Sequence, residues 1–523
     1  MRVVDATQMR AFDRCAIDQV GVAAAELMER AGAAVARETL ARPDRARDPI
    51  RVVCGPGNNG GDGYVAARHL RAAGREVAVL TLAAPEKLQG EARTHWERML
   101  AAGVPAQRVI DPAAWRELQP LWGGAGTVVD ALFGTGLSRA LEGLPAQVVS
   151  DLAALAAYRI AIDIPSGLSA DTGELLGASF CADLTVALAL PKRAHVLTPA
   201  AERVGELVVA DIGIPAAVIE SAPPSDLELL TAEELRPRLP RRGRGAHKGD
   251  FGRVLIVAGG PGKVGAAELA ARAAQRAGAG LVTVAAAASI QRALESRQLE
   301  WMSVALPEGS GRSLAREAGA ALLELARSFD VVAAGPGLGR DAGTRDAVLE
   351  LVHDCPRPLL LDADALNVHA DAGVHPAGSA ARPVVITPHP GEFARLLSSS
   401  AAQVQRRRLE LAREYAQRHG VHVVLKGYRT LIAAPDRKAW VSPTGNPGMA
   451  TGGSGDVLTG VLAGLMGQKI PLVDALALGV YCHGRAGDRA AARVGELALI
   501  ASDLLEELPA AFTELARRGA PAP

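Results

Sequence analysis

The stretch best equipped for chemistry is Asn446-Pro447-Gly448-Met449-Ala450-Thr451-Gly452-Gly453-Ser454-Gly455-Asp456. Val457, Leu458, Val461, Leu462 and Leu465 follow at one-face helical spacing, which predicts a glycine loop running into a helix N-terminus with a carboxylate at its lip. Backbone N–H groups of Gly452 to Gly455 can then stabilise charge on a transferring phosphoryl group, while Asp456 takes a proton from the attacking hydroxyl. A flexible turn would explain the glycines, but not the carboxylate and amphipathic helix behind them. The P-loop pattern ending in Gly-Lys-Ser or Gly-Lys-Thr is missing, which excludes that class of nucleotide hydrolase.

Gly55-Pro56-Gly57-Asn58-Asn59-Gly60-Gly61-Asp62-Gly63 also follows an apolar run and opens a helical pattern, so its N–H groups can face an anion. The acidic residue that a dinucleotide fold places ~20 positions on is replaced by Leu82-Ala83-Ala84-Pro85-Glu86, a Glu behind a proline. The Asn58 and Asn59 amide oxygens suit a hard monovalent or divalent cation. A glycine turn that merely packs a helix on a sheet remains an alternative. Asp130 precedes a second glycine loop, Gly134-Thr135-Gly136, and Asp163 precedes Ile164-Pro165-Ser166-Gly167. Ligands of open parallel sheets bind beyond the strands' carboxyl ends, so these three turns are expected to converge.

Strand–helix alternation supplies the elements that position these turns. Ile50–Cys54 reads as a buried strand, Tyr64–Ala73 as a helix, and Glu76–Leu82 as the next strand, a βαβ unit that implies a parallel sheet. Further strands end at Asp130, Asp163 and Leu190. Periodicity lapses between Asp211 and Lys248, where Pro223-Pro224, Pro237, Pro240 and Arg241-Arg242-Gly243-Arg244-Gly245 mark a connection. It then restarts, with strands ending at Ala258, Ala285, Gly335, Asp362 and Thr387 and a mostly helical stretch from Gly455 to about Arg518. The expected architecture is α/β: two tandem three-layer domains over 1–215 and 248–523, joined by 216–247.

Composition narrows the function classes. The 523 residues carry 57 Lys+Arg and 57 Asp+Glu, so no global basic field exists to hold nucleic acid or an anionic membrane. Only 7 of those cations are Lys, which makes a lysine inside a motif conspicuous. Aromatics are 3%, so the cores must be built from Ala, Val, Leu and Ile. The 5 cysteines form no CxxC pair, and no apolar run reaches the ~18 residues a membrane span needs. With no leader-like start, the expected compartment is the cytoplasm.

Four blocks of the first half, Leu27-Met28-Glu29-Arg30-Ala31-Gly32, Gly57 to Gly63, Asp130 to Gly136 and Asp163 to Gly167, together resemble the NAD(P)H-hydrate epimerase family over roughly residues 1–215. The resemblance implies a Rossmann-like fold, a bound potassium ion and exchange of the R and S epimers of hydrated NAD(P)H. It implies Asn59, Asp130 and Ser166 as potassium ligands. Substrate contacts would be Asn58, Asn59, Gly60, Gly61, Asp62, Gly134, Thr135, Gly136, Leu137, Ser138, Arg139, Ala140 and Asp163. Epimerisation beside a ring nitrogen needs proton transfer, and Asp163 is the candidate acid–base.

In the second half, the Gly453-Ser454-Gly455-Asp456 loop resembles the anion hole of ribokinase-like small-molecule kinases. His247 to Gly252, Gly335 to Gly339, Leu361 to Asn367, Thr387 to Phe393 and Lys426 to Thr430 narrow the likeness to the ADP-dependent NAD(P)H-hydrate dehydratase family, across about 225–515. That family implies a ribokinase-like domain in which Asp456 is the base of a phosphorylation, followed by phosphate elimination. Ala266, Gly337, His389 and Asp456 would contact the hydrate; Lys426, Gly427, Tyr428, Arg429, Thr430 and Gly455 would contact ADP, carried with Mg²⁺. Tyr428 stands where the family has Gly or Ala. The partners implied are small molecules, NADHX, NADPHX and ADP; a homo-oligomer stays open. Two other readings remain at this stage: a vitamin-precursor kinase that releases its phosphorylated product, and a first domain that serves only as a binding module or scaffold.

Overall fold

A computed structural model describes residues 1–517 apart from 85, 87 and 298, so Pro85 and Arg518 lie outside the described residues. The chain forms two compact units, Arg2–Ser225 and Asp226–Pro523, the second including Met1. No helix of the described residues is long and apolar enough to cross a membrane.

In the first unit β1 (Ile50–Cys54), β2 (Val77–Thr81), β3 (Ala106–Arg108), β4 (Thr127–Ala131), β5 (Tyr158–Ile162), β6 (Leu184–Leu188) and β7 (Glu206–Ala210) form one sheet in the order β3-β2-β1-β4-β5-β6-β7. All neighbours are parallel. The central strands β4 and β6 are buried on both faces, as parallel strands must be when helices cover them, while the edge strands β3 and β7 are partly exposed. Val52 and Cys54 enter one apolar core and Val53 the other, which makes the three layers expected of a Rossmann-like domain. Strand order reverses between β1 and β4, and a doubly wound sheet opens its ligand crevice at that switch point.

The helix after β1 runs over Asn58–Ala72, beginning six residues before the predicted Tyr64. Close packing explains the difference. A Cβ at Gly60 would lie 2.0 Å from the Gly55 carbonyl oxygen, and one at Gly63 would lie 2.6 Å from Ala131 Cβ. These glycines let the first helical turns press onto the strands. The packing reading of the loop therefore holds for Gly60 and Gly63.

The second unit carries β8 (Leu227–Leu229), β9 (Arg253–Val257), β10 (Leu281–Ala287), β11 (Met302–Leu306), β12 (Val331–Ala334), β13 (Leu359–Leu361), β14 (Val384–Ile386), β15 (His422–Leu425), β16 (Leu431–Ala433) and β17 (Ala439–Val441). Their order is β11-β10-β9-β12-β13-β14-β15-β16-β17-β8. The sheet is parallel from β11 to β15, antiparallel through β16 and β17, and β8 pairs parallel with β17. The segment 216–247 thus contains an edge strand of this sheet as well as irregular chain. Together with its covering helices the sheet makes a ribokinase-like three-layer unit.

With few aromatics available, helices here approach through small residues. Helix Ser454–Gly467 lies on helix Val264–Arg276, with Gly460 and Gly464 facing the Ala270 and Ala274 backbone. A Cβ at Gly460 would be 2.1 Å from the Ala270 carbonyl oxygen. This approach sets where the N-terminus carrying Asp456 stands. Gly460→Ala is expected to destabilise the second unit by about 1–3 kcal/mol through overpacking. Gly265→Ala, at a helical position with open space around it, should be neutral or stabilise by up to about 1 kcal/mol; urea melts of both variants check the pair.

Candidate functional site

Each unit gathers buried carboxylates and a lysine at the carboxyl end of its sheet. In the first, a cavity of about 530 Å³ opens beside the ends of β1, β4 and β5, and Asn58, Asn59, Asp62, Gly134, Thr135, Gly136, Leu137 and Asp163 line it. Gly60 and Gly61 do not; they are buried in helix packing, with Gly61 against Met28. Ser138, Arg139 and Ala140 are exposed in the continuing turn and do not line the cavity either.

Asp163 follows β5 with φ of 61°, a conformation that costs a non-glycine residue of order 1 kcal/mol and needs surrounding contacts to persist. Those contacts come from Leu188 to His195. His195 Nδ1 accepts from the Lys192 amide at 2.9 Å, so its Nε2–H donates to the Asp163 carbonyl oxygen at 2.6 Å. Asp163 Oδ1 accepts from the Leu188 amide at 3.1 Å and from Lys192 Nζ at 2.5 Å. Lys192 also donates to the Leu188 carbonyl at 2.7 Å and is only 1% exposed.

Asp62, Asp13 and Glu91 line the same cavity. Burial pushes Asp62 well above the usual carboxylate range; Asp163 and Asp13 add to the rise, and Lys192 opposes it. Burial likewise raises Asp13 to about 6, against Lys192 and with Asp163. Asp13 and Lys192 escaped sequence reasoning. The rarity of lysine was the one signal that marked Lys192.

Asp130 and Ser166 lie side by side at the ends of β4 and β5. Ser166 donates to Asp130 from its amide and its hydroxyl, both at 2.7 Å, and Asp130 also accepts from the Leu132 amide at 3.1 Å. Burial nonetheless raises the Asp130 carboxyl to about 6, because it outweighs the hydrogen bonds from Ser166 and Leu132. The Phe133 amide donates to Ser166 Oγ at 3.0 Å. Gly134 follows, where a Cβ would stand 3.4 Å from Asn59 Oδ1 and from Asp163 Oδ2. Asn59 Nδ2 is buried with no hydrogen-bond partner among the described residues. The Asp130 carboxylate, the Ser166 hydroxyl and the Phe133 carbonyl 3.4 Å from it are hard oxygens that suit a cation of low charge, whereas the unpartnered Asn59 Nδ2 is a donor that would face an acceptor.

In the second unit Asp456 is the third residue of helix Ser454–Gly467, capped by Gly453 at φ of 94°. Burial raises its carboxyl to about 6; Asp362, Asp364 and Glu392 add to this and Lys426 opposes it. Lys426 Nζ donates to Asp362 Oδ1 at 2.6 Å and stands 3.8 Å from Glu392 Oε2. Burial works to lower this ammonium, but Asp362, Glu392 and Asp456 hold its pKa up. A Cβ at Gly455 would lie 3.3 Å from Lys426 Nζ, so Lys426 and Gly455 adjoin. Thr459 fixes the other oxygen of Asp362 at 2.8 Å. His483, held near 4 by burial and therefore neutral, bonds the Ser454 carbonyl at 3.0 Å.

Ala266 and Gly337 also meet: a Cβ at Gly337, where φ is 68°, would be 3.1 Å from Ala266 Cβ. Lys263 and the Gly339 amide both bond Asp364 Oδ2, at 3.0 and 2.8 Å. His389 caps helix Pro390–Leu396 by accepting from the Gly391 amide at 3.0 Å, while its own amide donates to Glu392 at 2.8 Å. Its Nε2 remains half-exposed, 3.6 Å from Glu392. The Lys426 amide donates to the Pro388 carbonyl, tying that turn to the lysine. Tyr428 is exposed, whereas Arg429 is buried at φ of 57° and bonds the Pro443 carbonyl. Thr430 Oγ1 donates to the Gly427 carbonyl at 3.1 Å. Asp362, Asp364, Lys263 and Thr459 were not singled out from the sequence, although the strand-end Asp362 pattern was visible.

Comparison with known proteins bears on both units. A family model described as YjeF-related protein N-terminus matches residues 24–194, and one described as NAD(P)H-hydrate dehydratase matches 254–510. The bifunctional NAD(P)H-hydrate repair enzyme of Moorella thermoacetica is 46% identical over 97% of this chain and 96% of its own length. That of Thermofilum pendens is 41% identical over 98% and 97%. A solved ADP/ATP-dependent NAD(P)H-hydrate dehydratase from Bacillus subtilis, co-crystallised with ATP/Mg2+, is 30% identical, with a TM-score of 0.48, over 55% of this chain and 98% of that one.

The buried Lys192–Asp163 pair generates a stability prediction. Lys192→Met leaves a buried carboxylate without its counter-charge and is expected to cost the first unit about 3–5 kcal/mol. Adding Asp163→Asn should recover part of that loss, a coupling that a double-mutant cycle in urea measures.

Proposed function

The chain belongs to the bifunctional NAD(P)H-hydrate repair enzymes, and we propose that its units divide the work. Arg2–Ser225 interconverts the R and S epimers of hydrated NADH and NADPH, and Asp226–Pro523 dehydrates the S epimer at the expense of ADP. The observation that carries this reading is that each unit holds its own buried carboxylate beside a lysine at the carboxyl end of its own sheet. A chain with one activity needs only one such site. Fusion also makes chemical sense, since a dehydratase that takes one epimer leaves the other stranded.

In the first site Asp163 is the acid–base, aimed by Lys192 and His195, and Asn58, Asn59, Asp62 and the Gly134 to Leu137 turn hold the substrate. Asn59, Asp130 and Ser166 would hold potassium. When bound, that ion would supply a fixed positive charge that steadies these turns. The Asp130 carboxylate, the Ser166 hydroxyl and the Phe133 carbonyl beside them support this assignment.

In the second site the hydrate hydroxyl attacks the terminal phosphoryl group of ADP as Asp456 accepts its proton. Backbone N–H groups of Gly452 to Gly455 take up charge on that group, and Lys426 steadies it. AMP leaves, and loss of phosphate from the ring carbon together with a proton from the neighbouring carbon then restores the ring double bond. Ala266, Gly337 and His389 orient the hydrate; Gly427 to Thr430 and Gly455 border the nucleotide. The carboxylates Asp362, Asp364, Glu392 and Asp456 outnumber Lys426 and Lys263 and suit the Mg²⁺ that accompanies ADP, which supplies neutralisation of phosphate charge. The setting is cytoplasmic, with small-molecule partners.

One assay tests the division. Purified protein with both epimers of hydrated NADH, Mg²⁺, potassium and ADP should return all of it as NADH absorbance; conversion of only half would sink the epimerase assignment. A stable phosphorylated product without NADH would instead indicate a kinase, a reading that the full-length relatives do not favour. Asp456→Asn should abolish dehydration with epimerisation retained, and Asp163→Asn should do the reverse. Because Asp456 must be ionised to accept a proton and its carboxyl sits at about 6, the dehydration rate should level off above pH 6. Below that it should fall toward tenfold per pH unit, as a single-turnover pH profile would record.

A further inference from the structure

Asp13 lies in helix Ala6–Arg14, which sequence reasoning gave no chemical role. The helix is anchored at its start: Asp5 caps it, and the Ala6 amide donates to Asp171 at 2.7 Å. Met9 and Phe12 bury one face in the apolar core. Asp13 itself lines the epimerase cavity, together with Asp163, Lys192 and Asp62. Its carboxyl makes no hydrogen bond among the described residues, whereas Asp163 is held by an ammonium and an amide.

Epimerisation at a carbon bearing both a hydroxyl and the ring nitrogen needs two proton positions. The hydroxyl gives up its proton as C=O forms and the C–N bond breaks, with the bonding electron pair going to nitrogen, which must be protonated as it leaves. Rotation about the adjacent C–C bond turns the other carbonyl face to the nitrogen. The nitrogen re-attacks and returns its proton, and the new alkoxide recovers the first one. No oxidant, reductant or water is consumed. One carboxylate fixed by Lys192 serves the hydroxyl; a second group has to serve the nitrogen.

We propose that Asp13 is that second catalytic residue, delivering the proton to the ring nitrogen and taking it back while Asp163 handles the hydroxyl; this rests on the epimerase reading of the first unit. The charged groups around it are Lys192 and Asp163 beyond β6 and β5, Asp62 on helix Asn58–Ala72, and Arg10 and Glu91 on the cavity lining. Burial and Asp163 raise the Asp13 carboxyl to about 6 against Lys192, so a protonated fraction persists near neutrality. Two titrating groups held in different environments are the usual arrangement for one acid and one base.

The test uses the full chain and purified R epimer, with interconversion followed by chromatography. Dehydration of purified S epimer with ADP and Mg²⁺ serves as a check on integrity. Asp13→Asn should lower kcat for interconversion by about 10²–10⁴-fold, with KM and dehydration near wild type. It should also erase the decline of the wild-type rate on the alkaline side of the profile. Asp13→Glu should regain about tenfold or more over Asp13→Asn. Interconversion by Asp13→Asn at the wild-type rate, a defect confined to KM, or an Asp13→Glu variant no better than Asp13→Asn would each overturn the proposal. A wild-type chain that dehydrates S epimer but never consumes R epimer would instead remove the epimerase reading itself.

Discussion

A buried lysine–aspartate pair at the carboxyl end of a parallel sheet is the interaction on which both sites depend. Lys192 holds Asp163 at 2.5 Å and Lys426 holds Asp362 at 2.6 Å. Removing either charge from water costs several kcal/mol, offset only when the partner is present and the remaining donors are satisfied. The chain supplies those donors locally. The Leu188 carbonyl and amide complete the first pair, and Thr459 completes the second. Each pair leaves nearby carboxyls whose pKa values are pushed up, Asp13 and Asp62 in the first unit and Asp456 in the second. The rise comes from the carboxyls' own burial and their carboxylate neighbours, and in each unit the lysine limits it.

Close backbone approach is the second requirement. Gly335, at φ of 134°, sits where a Cβ would be 1.7 Å from the Asp362 carbonyl oxygen, so the turns after β12 and β13 interlock. Ala363 follows at φ of 48°, another strained position held by its surroundings. In the first unit Gly55 and Gly60 play the interlocking part, which explains why some glycines of the loop face the cavity and others are sealed beneath it. Small side chains are what allow Ala- and Gly-faced helices to stand close enough to fix these turns without aromatic packing.

Much of the fold was legible before any coordinates. Apolar runs of Val, Ile or Leu ending in Asp130, Asp163 and Asp362 marked buried parallel strands, because such strands need no polar face. The glycine loops before Asp62 and Asp456 marked helix starts. The onset of the helix at Asn58 was not legible, because glycine content argues against a helix until the partner strand that demands it is known. The terms that Lys192, Asp13 and Lys263 contribute were equally hidden. They lie 29, 150 and 101 positions from the aspartates they serve or accompany, Asp163, Asp163 and Asp364, and no local pattern encodes contact over such spans.

What the sequence determined by itself is the local chemistry: strand ends bearing carboxylates, a glycine loop opening a helix with Asp456 at its lip, and two successive α/β patterns. These follow from nearest-neighbour physics, hydrophobic period and backbone freedom. Only the tertiary structure decided which carboxylates meet a lysine, which are driven toward their protonated form, and which glycines line a cavity rather than a packing seam. Those outcomes depend on burial and on partners from other strands, and desolvation is a property of the folded surroundings, not of the residue.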